Sequence, residues 1–396
     1  MVGQCHPEHV RAFESSFAST IGGGRALSYA SGRMAFFSLM RTLGIGVGDE
    51  VILPGFTCSV MANAILRVGA TPVFSDIEES TLGSDPTSIK GLLSAKTKMI
   101  VAQHSFGYPC AIEAILQLSE QAGVFLLEDC ATSLGTTVGG RTIGDFGNAA
   151  IFSTDHTKPI NTLIGGMLYT RELDLLGLLR AERLALEELP VAKQIAVWKR
   201  MKLEASFRPP NRQWKLGARD AVARPCRSIT GTTTAFLDED SLPTSRAGTY
   251  PYPAPLPSFL AFIGLEQTEN WDRIAAQRTA AARRLLEVIQ DSPSGVHLPA
   301  AVREQLDAIV PLRIAWADPN AEAVRRSIQR FITTEGTWFV LPIVATTAPA
   351  EDFGYGWGTC PTAERQGPRM VNIPIPSEAA GVARLADLLA IALHAQ

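Results

Sequence analysis

The chain has no surplus of positive charge: its 396 residues carry 36 Lys and Arg against 39 Asp and Glu, a formal net charge of −3. A phosphate-binding surface for nucleic acid needs the opposite balance, so nucleic acid is excluded as an expected partner. No apolar run reaches the roughly 20 residues that cross a bilayer, so no membrane span is expected. The first residues lack a basic stretch followed by an apolar one, and no secretory leader is expected. Six cysteines, Cys5, Cys58, Cys110, Cys130, Cys226 and Cys360, are scattered without CxxC spacing, which points to reduced thiols, no metal site and a cytoplasmic setting. Internal repeats and low-complexity tracts are also missing, apart from modest Ser/Thr enrichment at 228–247, so repeat architectures are set aside.

What the chain does have is 46% hydrophobic content, enough for a substantial core in two or three domains. Short apolar runs at 51–53, 72–74, 99–102, 124–127 and 149–152 alternate with helical patterns at 33–43, 58–68 and 111–122. That alternation predicts an α/β fold with a mostly parallel sheet. A charged helical stretch is expected over 172–202, then a poorly patterned middle, a long helix over 256–289, strands near 308–316 and 337–343, and helices over 320–334 and 377–393. The expected division is a large domain over 1–255 and a smaller αβ domain over 256–396.

Two charged residues stand out. Asp129 ends the apolar run of 124–127, and Lys158 follows it by 29 residues, shortly after the run of 149–152. Ligands of open α/β sheets bind beyond the carboxyl ends of the strands, so Asp129, Ser153, His156 and Lys158 are expected on one rim. A lysine amine forms a Schiff base with an aldehyde, and a carboxylate keeps a pyridine nitrogen protonated. Each residue alone has a plainer reading, a helix cap for Asp129 and a solvated charge for Lys158. Their order, with Gly139-Gly140, Gly144-Asp145-Phe146-Gly147 and Gly165-Gly166 around them, shifts the balance toward the pyridoxal phosphate (PLP) pairing.

This run resembles the DegT/StrS-type nucleotide-sugar aminotransferases, PLP-dependent enzymes of fold type I. The resemblance begins near Phe13-Glu14, passes through Ser31-Gly32-Arg33, residues 43–52 and 69–74, and continues to about Thr170. It weakens in the middle and returns at Cys360-Pro361-Thr362-Ala363-Glu364-Arg365 and Val371-Asn372-Ile373-Pro374. It implies a large domain with a mostly parallel central sheet, a smaller C-terminal αβ domain and a homodimer with a shared site. Catalytic roles fall on Lys158 and Asp129, and cofactor contacts on Ser31, Gly32, Arg33, Cys58, His104, Thr132, Ser153 and His156. Ser31-Gly32 would open a helix beneath the phosphate. Arg33 stands where the family has Thr, and it either pairs with phosphate or lies on the surface.

The departures are specific. The resemblance puts an aromatic stacking residue at Cys58 and an amide at Thr132, while Leu163-Ile164 replaces Gly-Glu, and the family's NyR element is not evident in Tyr250-Pro251-Tyr252-Pro253. Cys58 either fills space above the ring or is a buried structural thiol. His104 either contacts the site or merely ends a strand, and His156 is expected to make local hydrogen bonds. The basic stretch of 193–202 is read first as a solvated helix face; Arg208, Arg212, Lys215 and Arg219 extend its charge toward a diphosphate.

The implied reaction is ping-pong transamination through a Lys158 internal aldimine and pyridoxamine phosphate (PMP). L-Glutamate is the expected donor and a nucleotide-linked keto sugar the expected acceptor. The alternatives are an aminotransferase for a non-sugar carbonyl compound and a non-catalytic binding protein with the same fold.

Overall fold

Strands that lack polar alternation need cover on both faces, and helices supply it when they return the chain to the same sheet edge. In the computed structural model, which describes residues 6–206, 236–237, 250–291, 296–329 and 338–394, this is how the first half is built. Helix α1 (Pro7–Ser19) leads to β1 (Arg25–Tyr29), α2 (Gly32–Thr42), β2 (Glu50–Pro54), β3 (Thr57–Cys58) and α3 (Ser59–Val68). Then come β4 (Thr71–Ser75), α4 (Pro86–Leu92), β5 (Thr97–Gln103), α5 (Ile112–Ala122), β6 (Phe125–Asp129), the short hairpin β7 (Thr137–Val138) and β8 (Arg141–Thr142), β9 (Ala149–Ser153) and β10 (Gly166–Thr170).

Seven of these strands form one sheet in the order β1-β10-β9-β6-β5-β2-β4. Neighbours from β9 through β4 run parallel, and β10 is antiparallel to both β9 and β1. Registers such as Gln103 opposite Asp129 and Asp129 opposite Ile151 set the carboxyl ends of β5, β6 and β9 side by side. The family of expected α/β topologies thus holds, and the architecture is fold type I.

The second half departs from the sequence pattern in three places. The helical stretch of 172–202 is two helices, α6 (Leu173–Leu184) and α7 (Val191–Ser206), interrupted before Val191 by Pro190, which lacks a backbone donor. The long helix expected over 256–289 is α8 (Ser258–Glu269) and α9 (Trp271–Gln290), separated at Asn270, whose φ of −101° and ψ of 13° leave helical geometry. Helix α8 turns back to pack on α1. After α10 (Ala300–Gln305), β11 (Arg313–Ala317) and α11 (Ala321–Gln329) follow the expected pattern. The strand expected over 337–343 shrinks to β12 (Ile343–Val344), because Phe339 takes a left-handed φ of 55°. Helix α12 (Pro361–Gln366), β13 (Met370–Pro374) and α13 (Ala379–His394) complete the chain, with β13 antiparallel to β11.

Two seams join this C-terminal layer to the rim of the large sheet. β12 lies parallel to β3, with Val344 opposite Cys58. Phe339 stacks on Phe56, centroids 5.7 Å apart at 12°, and meets Phe106 edge-on at 5.1 Å. The expected residues Arg208, Arg212, Lys215 and Arg219 lie outside the described residues, as do Cys5, Cys226 and 228–235.

The tightest approach in the sheet is between β10 and the start of α2. A Cβ on Gly166 would stand 2.1 Å from the Gly32 nitrogen, and no side chain can move to relieve a clash with backbone. Replacing Gly166 by Ala is therefore expected to cost roughly 3 kcal/mol or more of stability. Chemical denaturation of the variant measures it, and a loss below about 1 kcal/mol would show that the two segments separate freely.

Candidate active site

The site is assembled from the carboxyl ends of β5, β6 and β9 and the amino end of α2. Asp129 closes β6 and is 5% exposed. Its Oδ1 accepts the Ala131 amide at 2.9 Å, while among the described residues Oδ2 receives no hydrogen bond. Burial pushes this carboxyl up, against the Ala131 amide, Lys158 and His104, which pull it down. Oδ2 is thus left to accept from the rim side, and a protonated ring nitrogen is a matching donor.

The residue before it, Glu128, is fully buried and organises the rim. Its Oε1 accepts the amides of Phe146 and Gly147, each at 2.7 Å, and its Oε2 accepts Gly144 N at 2.7 Å and lies 3.1 Å from His104 Nε2. This is the physical content of the Gly144-Asp145-Phe146-Gly147 segment: three of its amides wrap a carboxylate. Cys130 brings a third potential metal ligand to His104 and Glu128, all within 4.8 Å, but both Glu128 oxygens are already committed to amides. The cluster reads as a structural hub.

His104 is accordingly not presented to a ligand by its ring. Nδ1 accepts the Cys110 amide at 3.2 Å and Nε2 faces Glu128, so the side chain lies behind Asp129 rather than in front of it. Its backbone carbonyl takes the Thr132 hydroxyl at 2.7 Å. Thr132 therefore spends its one donor on the protein and has lone pairs left for a ligand hydroxyl.

Lys158 sits in a loop that leaves β9 and returns to β10. Paired backbone bonds close its neck, Thr154 N to Gly165 O at 3.0 Å and Thr162 N to Thr154 O at 2.8 Å. Gln267 on α8 clamps Asn161 by both polar atoms, at 2.7 and 2.9 Å. Leu163, where glycine is more usual, holds a left-handed φ of 68°, with its amide bonded to Asn161 Oδ1 at 2.8 Å. Inside the loop Asp155 accepts Thr157 N and Oγ1 at 2.8 and 2.6 Å and Ser153 Oγ at 3.2 Å. Burial opposes its charge, but Lys158, His156 and Thr157 outweigh that and hold the carboxyl at about 2. The sequence reading missed Asp155; its only signal was an acid three residues before the lysine.

Ser31 caps α2, its hydroxyl accepting Met34 N at 3.3 Å, and Gly32 and Arg33 open the helix beside Gly165-Gly166. The positive end of that helix and the Ser153 hydroxyl lie on the same rim and suit a phosphate. Arg33 is neither a surface charge nor turned to the rim alone: it donates to the Leu237 carbonyl, and Tyr252 Oη donates to its own carbonyl at 3.4 Å. Cys58 is partly exposed, and its thiol, raised by burial, is within electrostatic reach of Arg33, Lys158 and Asp129. His156 donates its amide to Leu163 O at 3.1 Å and places its ring 4.7 Å from Phe236. The solvated-face reading of α7 holds for the exposed Lys199 and Lys202 but not for Lys193, which is 4% exposed, bonded to the Phe236 carbonyl and 5.0 Å from the Tyr250 ring.

Once this geometry is set beside known proteins, residues 5–185 match the sequence profile of the DegT/DnrJ/EryC1/StrS aminotransferase family. The Bacillus subtilis spore coat polysaccharide biosynthesis protein SpsC is 41% identical over 171 residues, which is 43% of this chain and 44% of that one. The GDP-perosamine synthase of Vibrio cholerae is 37% identical over 161 residues, 41% and 44% of the two chains. The chain thus spans less than half the length of these relatives in the matched region. Across 97% of this chain and 90% of the other, the fold matches Streptococcus pneumoniae Spr1654 in its PMP form, with a TM-score of 0.71 at 16% identity.

Two outcomes follow from the buried carboxylates. Glu128→Gln puts an amide donor where only acceptors fit and is expected to destabilise by about 3 kcal/mol, read by chemical denaturation. Asp155, depressed in the fold, stabilises it above the unfolded carboxylate value of about 4, and that contribution is lost as pH falls through about 2. Asp155→Asn should flatten the stability curve between those pH values; an unchanged acid limb would remove Asp155 from the balance.

Proposed function

We propose, from the premise that residues 5–185 carry the DegT/DnrJ/EryC1/StrS aminotransferase pattern on a fold type I scaffold, that this chain is a PLP-dependent aminotransferase. The observation that carries the reading is the pairing, on one rim, of Lys158 with a buried Asp129 whose Oδ2 lacks a donor among the described residues. When bound, the cofactor supplies an aldehyde for amine exchange and a ring that draws electrons from the reacting carbon.

The chain's own groups do the rest. Lys158 Nζ is the amine that would hold the cofactor's aldehyde and, once free, the general base that would move the proton at the donor's Cα. Asp129 would accept the ring N–H through Oδ2 and keep that proton in place. The first amides of α2, at Gly32 and Arg33, and the hydroxyl of Ser31 would receive the phosphate, joined by the Ser153 hydroxyl once it turns from Asp155 Oδ2. Asp155 orders Thr157 and counters the lysine charge beside it, while Cys58 and Thr132 border the ring. His104 contributes by fixing Glu128 and Thr132, and His156 by closing the loop around Lys158.

For substrate we assign a keto group on a nucleotide-linked sugar, with L-glutamate as the donor; a relative that makes GDP-perosamine supports the class. The same reading makes the protein a cytoplasmic homodimer whose site is shared between subunits, with residues 1–255 as the cofactor-binding unit and 256–396 as the smaller one.

The test is the visible spectrum of the purified protein with PLP, before and after L-glutamate. A Schiff-base band that glutamate bleaches is expected in the wild type and not in Lys158→Ala; a band that survives the substitution sinks the mechanism. Because burial raises the Asp129 carboxyl, its ionised form is lost at a higher pH than for an exposed acid. Cofactor affinity should therefore weaken as pH is lowered through that raised value. Asp129→Asn should weaken binding about 10- to 100-fold and abolish this pH dependence, which titration of cofactor at several pH values measures.

A further inference from the structure

An aromatic ring stands beside Lys158, though not at the position where the sequence pattern expects one. At position 58, where the resemblance calls for a stacking ring, stands a thiol. The strand segment paired with Cys58 is β12, and shortly before it in the chain Trp338 reaches the reactive amine: the indole centroid is 4.7 Å from Lys158 Nζ. Any planar group carried on that nitrogen starts within contact range of the indole.

The ring is held from the other layer. Arg313 of β11, only 4% exposed, places its Cζ 4.7 Å from the same centroid. Its Nε donates to Asn372 Oδ1 at 2.7 Å. Asn372 of β13 in turn fixes the Trp338 backbone twice, giving Nδ2–H to its carbonyl at 2.8 Å and accepting its amide at Oδ1 at 3.4 Å. The adjacent Phe339, wedged against Phe56 and Phe106, sets the approach of the whole segment. Side chains at a binding site are useful when their own positions are fixed by a second set of contacts, and Trp338 has such a set.

We infer that Trp338 is the aromatic wall of the cofactor pocket, contributed by the C-terminal layer in place of the ring absent at residue 58. The inference rests on the cofactor reading above. A purely structural Trp338 would join the layers and leave ligand affinity alone, so the deciding readout is binding of PMP, which has no aldehyde and forms no bond to Lys158.

The experiment titrates PMP into the wild type and three variants, by equilibrium dialysis and by quenching of tryptophan emission. Trp338→Leu is expected to bind about tenfold more weakly, and Trp338→Phe within about threefold of wild type. Trp338→Phe should also lose the larger part of the emission quench. Adding Cys58→Tyr to Trp338→Leu should restore most of the affinity, since it returns a ring to the other wall. Wild-type affinity in Trp338→Leu, a full quench in Trp338→Phe, or a double variant as weak as the single would each overturn the inference. If Trp338→Leu does not fold, the quench of Trp338→Phe decides alone. A wild-type protein that forms no band with PLP refutes the cofactor reading itself, whereas a normal band with unaltered Trp338 variants refutes only the wall.

Discussion

The Glu128 carboxylate is the interaction on which the rim depends. It has no access to solvent, and it joins three pieces of chain that are distant in sequence: the end of β6, the 144–147 segment that feeds β9, and the histidine that follows β5. An unpaired charge in that position would be costly, and three amides plus a ring nitrogen remove the cost. Because β9 runs on into the loop of Lys158, a carboxylate beside Asp129 indirectly sets where the lysine begins. The residue with the chemistry and the residue that aligns the strands are consecutive, and since strand side chains alternate they face opposite ways.

From that hub outward the site is built in successive layers. The sheet supplies Asp129 and Ser153 on strand ends whose registers are fixed by backbone bonds. The lysine loop is next, closed at its neck and clamped by Gln267 from α8. Outermost, Phe236 and Leu237 lie across Arg33, Lys193 and His156, their carbonyls taking hydrogen bonds from the two cations. Basic groups that a sequence reader would assign to solvent or substrate are thus already engaged by the chain.

Much of the first half was legible because local rules and tertiary demands agree there. Runs such as β5 and β9 are apolar for the same reason they are buried, and Asp129 and Lys158 follow from the rule that ligands gather at strand carboxyl ends. The second half was legible in kind but not in boundaries. Both sides of Asn270 are good helix formers, so nothing local forecasts that α8 must turn to meet α1. The 337–343 stretch reads as a strand by composition, yet Phe339 is drawn into a left-handed turn by ring contacts with Phe56 and Phe106. Glu128, Asp155, Lys193 and Trp338 escaped for one reason. Their partners lie across tertiary space or in hydrogen bonds of a single loop, and neither leaves a periodicity.

Phe56, Phe106 and Phe339 all hold φ near 60°, a region that bulky residues seldom occupy. Each conformation carries strain of order 1 kcal/mol or more that persists only while surroundings enforce it. Here the surroundings are partly one another, since Phe339 touches both of the other rings, while Gln103 holds the Phe56 carbonyl and Leu312 the Phe106 carbonyl. The seam between layers therefore ties three strained positions together: were Phe339 to withdraw, both other rings would lose a packing partner at once. Lys158, Cys58 and the indole all border this seam, so whatever fixes Phe339 also fixes the immediate surroundings of the lysine.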